Sequence, residues 1–242
     1  MDKNLLSFYN QVWGSPQATF NEEKMLLSRR DAVEYSYRLL GDVNQKKLLE
    51  IGSGSGQQAV NFASQRATVT VIDISPESLK ATEKLAVAKE VKLELLQMNA
   101  EEMKFDAEEF DLIYINSVLM HVNQQKVLQE CSRVLKKEGK LVIVEPLQYA
   151  PFVQIYRLLS SYRKMNPRYA TLKMFKEGKK YFSDCHQKEF YLFSSALLPV
   201  FYLRNNFLQR IYRGIAKVDA ALIKIFPFLR YACWVSVVQY SK

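Results

Sequence analysis

The sequence predicts an α/β fold in which helices cover both faces of a parallel sheet. Between residues 46 and 146, short apolar runs of the β type alternate with segments of helical periodicity. Three of the eight glycines fall at positions 52, 54 and 56, directly after the first of these runs. A length of 242 residues, 48% of them hydrophobic, indicates one globular domain or one domain with an elaborated end. Strands separated by helices form right-handed crossovers and therefore align in parallel.

The predicted strands are short segments with a high content of aliphatic residues. They cover residues 47–51, 68–73, 92–97, 111–116 and 140–145. The clearest helix covers 75–89, with Ser75 as its N-cap and Pro76 at its first position. Another helix is predicted from about 123 to 137, and Gly139 is expected to end it.

The pattern changes after Pro146. Residues 151–182 have irregular helical character that Pro167 and Gly178 interrupt, and a strand-like piece follows at 188–193. A long amphipathic helix and a final β run at 232–240 complete the chain. The apolar stripe of that helix consists of Phe207, Ile211, Ile215, Val218, Leu222 and Ile225, and such a stripe most commonly packs against a sheet. We therefore divide the chain into a helical cap (1–45), a core in which strands and helices alternate (46–146) and a C-terminal insertion with the closing strands (147–242).

The glycine cluster predicts a nucleotide site. A turn without side chains between a strand and a helix N-terminus lets a ligand approach the main chain. A dinucleotide fingerprint that starts at Gly52 requires glycine or alanine where this chain has Gln57, which argues against NAD. Asp73 ends the second predicted strand, where a carboxylate can accept hydrogen bonds from both ribose hydroxyls.

Composition limits the class of protein. The three cysteines, Cys131, Cys185 and Cys233, are far apart and form no C-x-x-C motif, so neither a disulfide framework nor a metal site is predicted. The N-terminus lacks a signal-peptide pattern, and the longest uncharged run, 190–203, contains Pro199 and is too short to span a bilayer. A cytoplasmic location is the expectation.

Charge is distributed unevenly along the chain. Residues 146–242 carry 16 lysines and arginines against four acidic residues, and they hold 20 of the 30 aromatic residues. This asymmetry indicates an anionic partner for the C-terminal part. The alternative is a basic surface that only keeps the protein soluble.

The order and spacing of these motifs resemble the class I S-adenosylmethionine (SAM) methyltransferases, most closely the small-molecule branch typified by ubiquinone/menaquinone methyltransferases. The resemblance covers about residues 46–146 and depends on residues 50–56, Asp73, 99–101, 110–116 and 137–143. It implies a Rossmann-like sheet of seven strands in the order 3-2-1-4-5-7-6, with an antiparallel last strand at 232–240. It also implies SAM as the cofactor.

The resemblance assigns cofactor-binding roles to particular positions. The loop residues Gly52, Ser53, Gly54 and Gly56 would hold the methionine part of SAM, with Glu50 near its ammonium group and Asn116 lining the same side. Asp73 would bind the ribose, and Ile74 would pack on the adenine. Asn99 and Ala100 would meet the adenine edge, although the family usually has aspartate where this chain has Asn99.

In such enzymes the N-terminal segment folds over the cofactor. Tyr9 and Trp13 could present an aromatic ring to the sulfonium, and Arg30 could pair with the SAM carboxylate. Ordinary packing and surface roles are the alternative for each of these three residues.

The catalytic candidates are the two histidines and one glutamate. Methyl transfer requires a base only if the acceptor must lose a proton. His121 follows the fourth strand, where the family often has histidine, and a structural role is the alternative. His186 lies in the C-terminal elaboration in a position that could face substrate. Glu145 ends the fifth strand, where it could bind substrate or cap the segment that follows.

The C-terminal part allows three interpretations. The first is that it forms a substrate lid and pocket. The second is that it lies on a membrane surface, which it would contact through the basic residues beside the apolar stripe, Arg210, Arg213, Lys217 and Lys224. The third and least favoured is that it binds nucleic acid.

The sequence therefore predicts methyl transfer to an O, N or C atom of a small anionic, aromatic or lipid-like molecule. The alternatives are a membrane-surface methyltransferase of a quinone or lipid headgroup and a non-catalytic SAM-binding module.

Overall fold

A computed structural model of the chain describes residues 3–14, 28–159, 167–197 and 206–242. Seven strands form one sheet in the order β3-β2-β1-β4-β5-β7-β6, which confirms the predicted strand order. The strands are β1 (Lys47–Ile51), β2 (Thr68–Asp73), β3 (Glu94–Gln97), β4 (Phe110–Asn116), β5 (Leu135–Pro146), β6 (Asp184–Phe190) and β7 (Val235–Ser241).

The described α-helices are α1 (Lys3–Trp13), α2 (Arg30–Leu40), α3 (Gln57–Ser64), α4 (Pro76–Ala88), α5 (Gln124–Val134), α6 (Pro151–Leu159), α7 (Leu172–Gly178) and α8 (Asn206–Ile225). Short 3₁₀ segments cover Leu119–His121, Lys179–Tyr181 and Pro227–Ala232. Within the described ranges, no helix combines the length and the apolar character needed to cross a bilayer.

Strand direction determines where ligands can bind. Strands β1 to β5 are parallel, so their carboxyl ends lie along one edge of the sheet, which we call the carboxyl edge. Strand β7 is antiparallel to both of its neighbours, and Val235 lies opposite Pro146 and Phe190. The connection from β6 to β7, which contains α8, therefore starts and ends at the carboxyl edge.

Both faces of the sheet are buried. Alternate residues of β5 point to opposite sides: Leu141 and Ile143 pack in the cluster that includes α5 and α7, whereas Val142 and Val144 pack in the cluster that includes α2 and α3. This arrangement is the doubly covered sheet that the alternating sequence pattern predicts.

The junction of α5 and β5 differs from the prediction. The helix ends at Val134, and β5 begins at Leu135 and continues through Gly139 instead of starting after it. Leu135 pairs with Phe110 and Lys140 pairs with Leu112, so the intervening residues form a bulge. Full burial of Leu135 against the sheet overrides the local helical pattern. Smaller shifts occur in β3, which starts at 94 instead of 92, and in β6, which covers 184–190 instead of 188–193.

The orientation of α8 also corrects a prediction. Its apolar stripe does not form the buried face, because Ile211, Val218 and Ile225 are exposed. The buried residues are instead Tyr212 and Asp219. The side chain of Phe207, the first predicted member of the stripe, lies outside the described residues.

Polar anchors explain this orientation. Asp219 accepts hydrogen bonds from the backbone N–H groups of Leu192, Phe193 and Ser194, each at 3.0 Å. The Tyr212 hydroxyl donates to Asp31 at 2.8 Å, which joins α8 to α2. These bonds select the face that turns inward, and an apolar pattern alone cannot reveal them.

Candidate functional site

The glycine loop between β1 and α3 adopts a conformation that favours glycine. Gly52, Gly54 and Gly56 all have positive φ angles, of 81°, 53° and 82°. A Cβ on Gly52 would collide with Val118, and one on Gly56 would lie 2.6 Å from the Thr82 side chain. The loop therefore follows a path close to β4 and α4 that a chain with side chains at these positions could not take.

Asp73 lies beside this loop. Its Oδ2 accepts hydrogen bonds from the Ser53 N–H at 2.9 Å and from the Ser78 hydroxyl at 3.1 Å. Its Oδ1 accepts from the Ser75 N–H at 2.8 Å. Burial raises the pKa of Asp73, and these hydrogen bonds oppose the rise. The carboxylate therefore anchors the loop. If Asp73 also binds a ribose, the ribose hydroxyl must donate to the remaining lone pair of Oδ1.

Glu50 is buried in β1, two residues after Leu48, and therefore points to the side of the sheet that α2 covers. The Tyr114 hydroxyl nearby is bonded to the Ser36 hydroxyl at 3.0 Å and accepts from Gln58 Nε2 at 3.1 Å. Burial, reinforced by the charge of Glu50, raises the pKa of Tyr37 to about 12. A buried carboxylate among neutral hydroxyls is suited to a cationic ligand group.

The residues proposed to meet the adenine lie after β2 and β3. Gln97 Nε2 donates to the Ile74 carbonyl at 3.1 Å, which joins the two strand ends. Asn99 Oδ1 accepts from the Glu101 N–H at 3.0 Å, and Ala100 is buried. Asn99 thus retains its amide N–H groups and one lone pair for a ligand.

The end of β4 forms the opposite wall of the site. Asn116 Oδ1 accepts from the Ser117 hydroxyl at 3.1 Å, and Ser117 has a positive φ of 62°. Arg29 Nη1 donates to the same hydroxyl at 2.6 Å. The strained backbone at Ser117 turns the chain sharply where β4 leaves the sheet.

Glu145 stabilises this turn. Its Oε1 accepts from the N–H groups of Val118 at 2.6 Å and Leu119 at 2.7 Å, and the side chain is fully buried. Burial raises the pKa of Glu145 to about 7, and the two N–H donors and Arg29 limit the rise. Its Oε2 has no hydrogen-bond partner among the described residues. The capping interpretation therefore fits better than the substrate-binding one.

Arg30, the predicted partner of the SAM carboxylate, and its neighbour Arg29 lie in different surroundings. The Arg30 side chain is 70% exposed and pairs with Glu34 at 2.6 Å on the surface of α2. Arg29 is 2% exposed and reaches Ser117. Helical spacing could have identified it, because Arg29 precedes the buried Ala32 and Val33 by three and four residues.

Helix α1 lies across the carboxyl edge. The Tyr9 hydroxyl and His121 Nε2 are hydrogen-bonded at 2.6 Å, and the Ser75 hydroxyl donates to Asn10 Oδ1 at 2.7 Å. Burial lowers the pKa of His121 to about 4, so its imidazole is neutral at physiological pH. Trp13 is half-buried one helical turn after Tyr9. The structure thus brings the predicted Tyr9 and His121 together beside the glycine loop.

His186 lies apart from the glycine loop. It is an exposed residue in the middle of β6, and its Nε2 bonds to the Tyr35 hydroxyl at 2.7 Å. Strand β6 is four positions from β1 in the sheet, a separation of about 19 Å. The position of His186 in the chain does not reveal that β6 is at the outer edge of the sheet.

A segment of the C-terminal insertion passes beside His121. The Arg168 N–H donates to the Met120 carbonyl at 2.8 Å, and Gln124 Nε2 donates to the Arg168 carbonyl at 2.8 Å. The Arg157 guanidinium lies 3.5 Å from the centre of the Tyr169 ring.

Among the described residues, no group of histidine, cysteine, aspartate and glutamate is arranged to hold a metal ion.

Known proteins are similar to this chain in the part that contains the glycine loop. Residues 49–143 match the family described as a methyltransferase domain. The chain is 30% identical over 139 residues to the ubiquinone biosynthesis O-methyltransferase of Glaesserella parasuis, which covers 55% of this chain and 58% of that protein. The chain spans about half the length of the curated relatives it matches.

Solved structures share the fold at low sequence identity. The geranyl diphosphate C-methyltransferase of Streptomyces coelicolor, in complex with S-adenosyl-L-homocysteine, superposes with a TM-score of 0.65 at 14% identity, over 88% of this chain and 79% of that chain. The phosphoethanolamine N-methyltransferase 2 of Haemonchus contortus gives 0.62 at 19% identity, over 88% and 53%.

These three proteins are named for transfer to oxygen, carbon and nitrogen, so the fold does not determine the acceptor atom. The domain match covers the strands that carry the glycine loop, Asp73 and Asn116. The sheet order and the sequence relatives agree with it. Residues 49–143 are therefore similar to methyltransferase domains, and the sheet order is the one that the resemblance to the class I SAM-dependent methyltransferases implies.

Proposed function

We propose that this chain transfers a methyl group from SAM to an O, N or C atom of a small anionic, aromatic or lipid-like molecule. The observation that carries the proposal is that the glycine loop and the Tyr9–His121 pair lie at the same edge of one sheet. The glycine loop would bind the cofactor through its backbone, and the hydroxyl and imidazole of the Tyr9–His121 pair would contact the methyl acceptor.

The residues at the loop fit SAM. The positive φ angles of the glycines leave the main chain accessible where a side chain would otherwise lie. The buried carboxylate of Glu50 suits an ammonium group, and Asp73 Oδ1 suits a ribose hydroxyl. Asn99 and Ala100 follow β3, on the side where the adenine would lie beyond the ribose. The sulfonium of bound SAM supplies an electrophilic methyl and a good leaving group.

The chain's own contribution is mainly to position the acceptor. Methyl transfer forms a bond from the acceptor atom to the methyl carbon while the carbon–sulfur bond breaks and its electron pair goes to sulfur. An O–H, N–H or C–H acceptor also loses a proton. The Tyr9 hydroxyl, held by His121 Nε2 at 2.6 Å, is placed to accept a hydrogen bond from the acceptor.

The neutral state of His121 limits its role as a base. An imidazole with a pKa of about 4 holds a proton weakly, so it orients the phenol more effectively than it removes a proton. An anionic acceptor bound nearby would raise the pKa of His121, because a negative charge favours the imidazolium. The pair therefore suits an acceptor that brings its own negative charge or is already deprotonated.

Isothermal titration calorimetry with SAM, S-adenosylhomocysteine and NAD tests the cofactor assignment. We expect the first two to bind and NAD not to bind. Binding of NAD without binding of SAM would overturn the proposal.

A Tyr9→Phe substitution tests the assignment of the acceptor side. It keeps the ring but removes the hydroxyl, so the dissociation constant for SAM should stay within about two-fold while kcat falls about ten-fold or more. Turnover can be followed as release of S-adenosylhomocysteine with phenolic and quinol acceptors. SAM binding without turnover on any acceptor would instead favour a non-catalytic SAM-binding module.

A further inference from the structure

Helix α8 presents three rows of residues spaced seven apart. Such residues lie nearly above one another, because seven residues make almost two turns of an α-helix. The first row is basic and exposed (Arg210, Lys217, Lys224), the second is apolar (Ile211, Val218, Ile225) and the third is buried (Tyr212, Asp219). Each row is about 100° from the next around the helix axis. The apolar row therefore lies between the buried face and the basic row.

The apolar row is exposed although it belongs to a helix that is firmly attached. Ile211, Val218 and Ile225 are 40%, 53% and 65% exposed. The bonds made by Asp219 and Tyr212 fix the rotation of the helix, so this exposure does not result from a loosely packed element. A stripe held outward in this way presents an apolar surface to whatever lies outside the protein.

Aromatic residues extend the apolar row at its C-terminal end. Phe226 directly follows Ile225, and its ring centre lies 6.1 Å from that of Phe228. These phenylalanines are 46% and 67% exposed. We call Ile211, Val218, Ile225, Phe226 and Phe228 together the α8 patch.

Charge beside the α8 patch has one sign. The sequence of α8 contains four basic residues and one acidic residue, and the acidic residue, Asp219, is buried and bonded to backbone N–H groups. Across the described part of the chain, no salt bridge involves Arg210, Lys217 or Lys224. An apolar row next to a row of exposed cations matches a surface with a negatively charged outer layer above an apolar interior.

We propose that the α8 patch docks on a membrane surface rich in anionic lipid, with the side chains of the patch in the headgroup–acyl boundary and the basic row at the phosphates. Since α8 connects β6 to β7 at the carboxyl edge, docking turns that edge toward the bilayer. Membrane docking does not depend on methyl transfer, so the two proposals can fail separately. The α8 patch is less suited to bind a second copy of the chain, because pairing two patches would bring two basic rows close together, and these would repel each other.

Flotation of the full-length protein with lipid vesicles tests the proposal. We expect binding to vesicles of phosphatidylcholine mixed with phosphatidylglycerol, weaker binding at high salt, and little binding to phosphatidylcholine alone. A Val218→Glu substitution should weaken the binding about 30-fold, because it removes the burial of an apolar side chain. A Lys217→Gln substitution should weaken it about five-fold, since one cation is lost.

Matched controls are available on α4. Val87 is 73% exposed and Lys84 is exposed, and both lie outside the α8 patch. The Val87→Glu and Lys84→Gln variants should bind vesicles like the unaltered protein. All four positions are exposed, so circular dichroism and melting temperature should change little in any variant.

Three results would overturn the proposal. The first is the absence of binding to phosphatidylglycerol vesicles at low salt. The second is an equal loss of binding in Val87→Glu and Val218→Glu. The third is a wild-type dimer, measured by light scattering, that Val218→Glu dissociates while vesicle binding is unchanged.

Discussion

The parallel core at residues 46–146 and the insertion after it place their charged and apolar groups in opposite ways. The core buries ionisable side chains next to the glycine loop, including Glu50 and Glu145. The insertion exposes apolar side chains: among the described residues, ten of the eleven large hydrophobic residues that are exposed lie after residue 146. This difference is what the two proposals require: a small ligand bound at the core and a membrane surface contacted by the insertion.

The glycine loop offers the largest test of this contrast. A Gly52→Val substitution adds a side chain at a positive φ and against Val118, so SAM affinity should fall about 100-fold or more. Gly214, on α8, is the control because no atom lies within 4 Å of a Cβ added there. A Gly214→Ala variant should bind SAM like the unaltered protein. Calorimetry on both variants, with melting curves to verify folding, makes the measurement, and unchanged affinity in Gly52→Val would refute the placement of the site.

Substitutions of the buried Arg29 and the exposed Arg30 should have different effects on the free energy of unfolding. An Arg29→Met substitution should reduce the free energy of unfolding by about 3 kcal/mol, because it leaves the carboxylate of Glu145 without a nearby buried cation. An Arg30→Met substitution should change it by less than about 0.5 kcal/mol, since the pair with Glu34 is exposed. Urea denaturation measures both values, and equal effects would contradict the assignment of Arg29 to the interior.

Two groups near the site should affect stability with pH in opposite directions. The folded-state pKa of His121 is lowered to about 4, so its contribution makes the protein less stable as pH falls from about 6.5 to 4. The folded-state pKa of Glu145 is raised to about 7, so its contribution makes the protein less stable as pH rises from about 4.5 to 7. Between about pH 4.5 and 6.5 these contributions nearly cancel.

Single substitutions should remove this cancellation. In Glu145→Gln, the free energy of unfolding should gain a slope of up to about 1.4 kcal/mol per pH unit, with lower stability at lower pH. In His121→Gln the slope should have the opposite sign. Denaturation curves at intervals from pH 4.5 to 6.5 provide the measurement. The same slope in both variants would show that the two groups do not titrate as their burial indicates.

A moderate effect is expected at the anchor of α8. An Asp219→Asn substitution keeps the shape of the side chain but weakens its bonds to three backbone N–H groups, at a cost of about 1–2 kcal/mol. Exchange of the N–H hydrogens of Leu192 and Ser194, followed by NMR, should accelerate, while SAM affinity stays unchanged. A loss of SAM affinity would mean that the anchor of α8 in the insertion affects cofactor binding in the core, contrary to the comparison above.

Local patterns were sufficient to predict the core. The glycine cluster, the strand ends and the N-cap at Ser75 are set by neighbours in the chain, so the positions of Asp73 and Asn116 at strand ends followed from sequence. The order of the strands was implied by the resemblance to the methyltransferases, and the structure confirms it. Long-range contacts determined the rest. Burial of Leu135 moved the start of β5, and the anchors at Tyr212 and Asp219 rotated α8. The pairing of β6 with β7 placed His186 at the far edge of the sheet.

Helix α1 is hydrogen-bonded on both sides of the site: Asn10 accepts from the Ser75 hydroxyl after β2, and the Tyr9 hydroxyl pairs with His121 after β4. A helix is stiff over eleven residues, so it cannot uncover one side and leave the other unchanged. Departure of the spent cofactor and entry of a new acceptor would then share one opening event. The rate of that event would set an upper limit on turnover, whichever atom receives the methyl group.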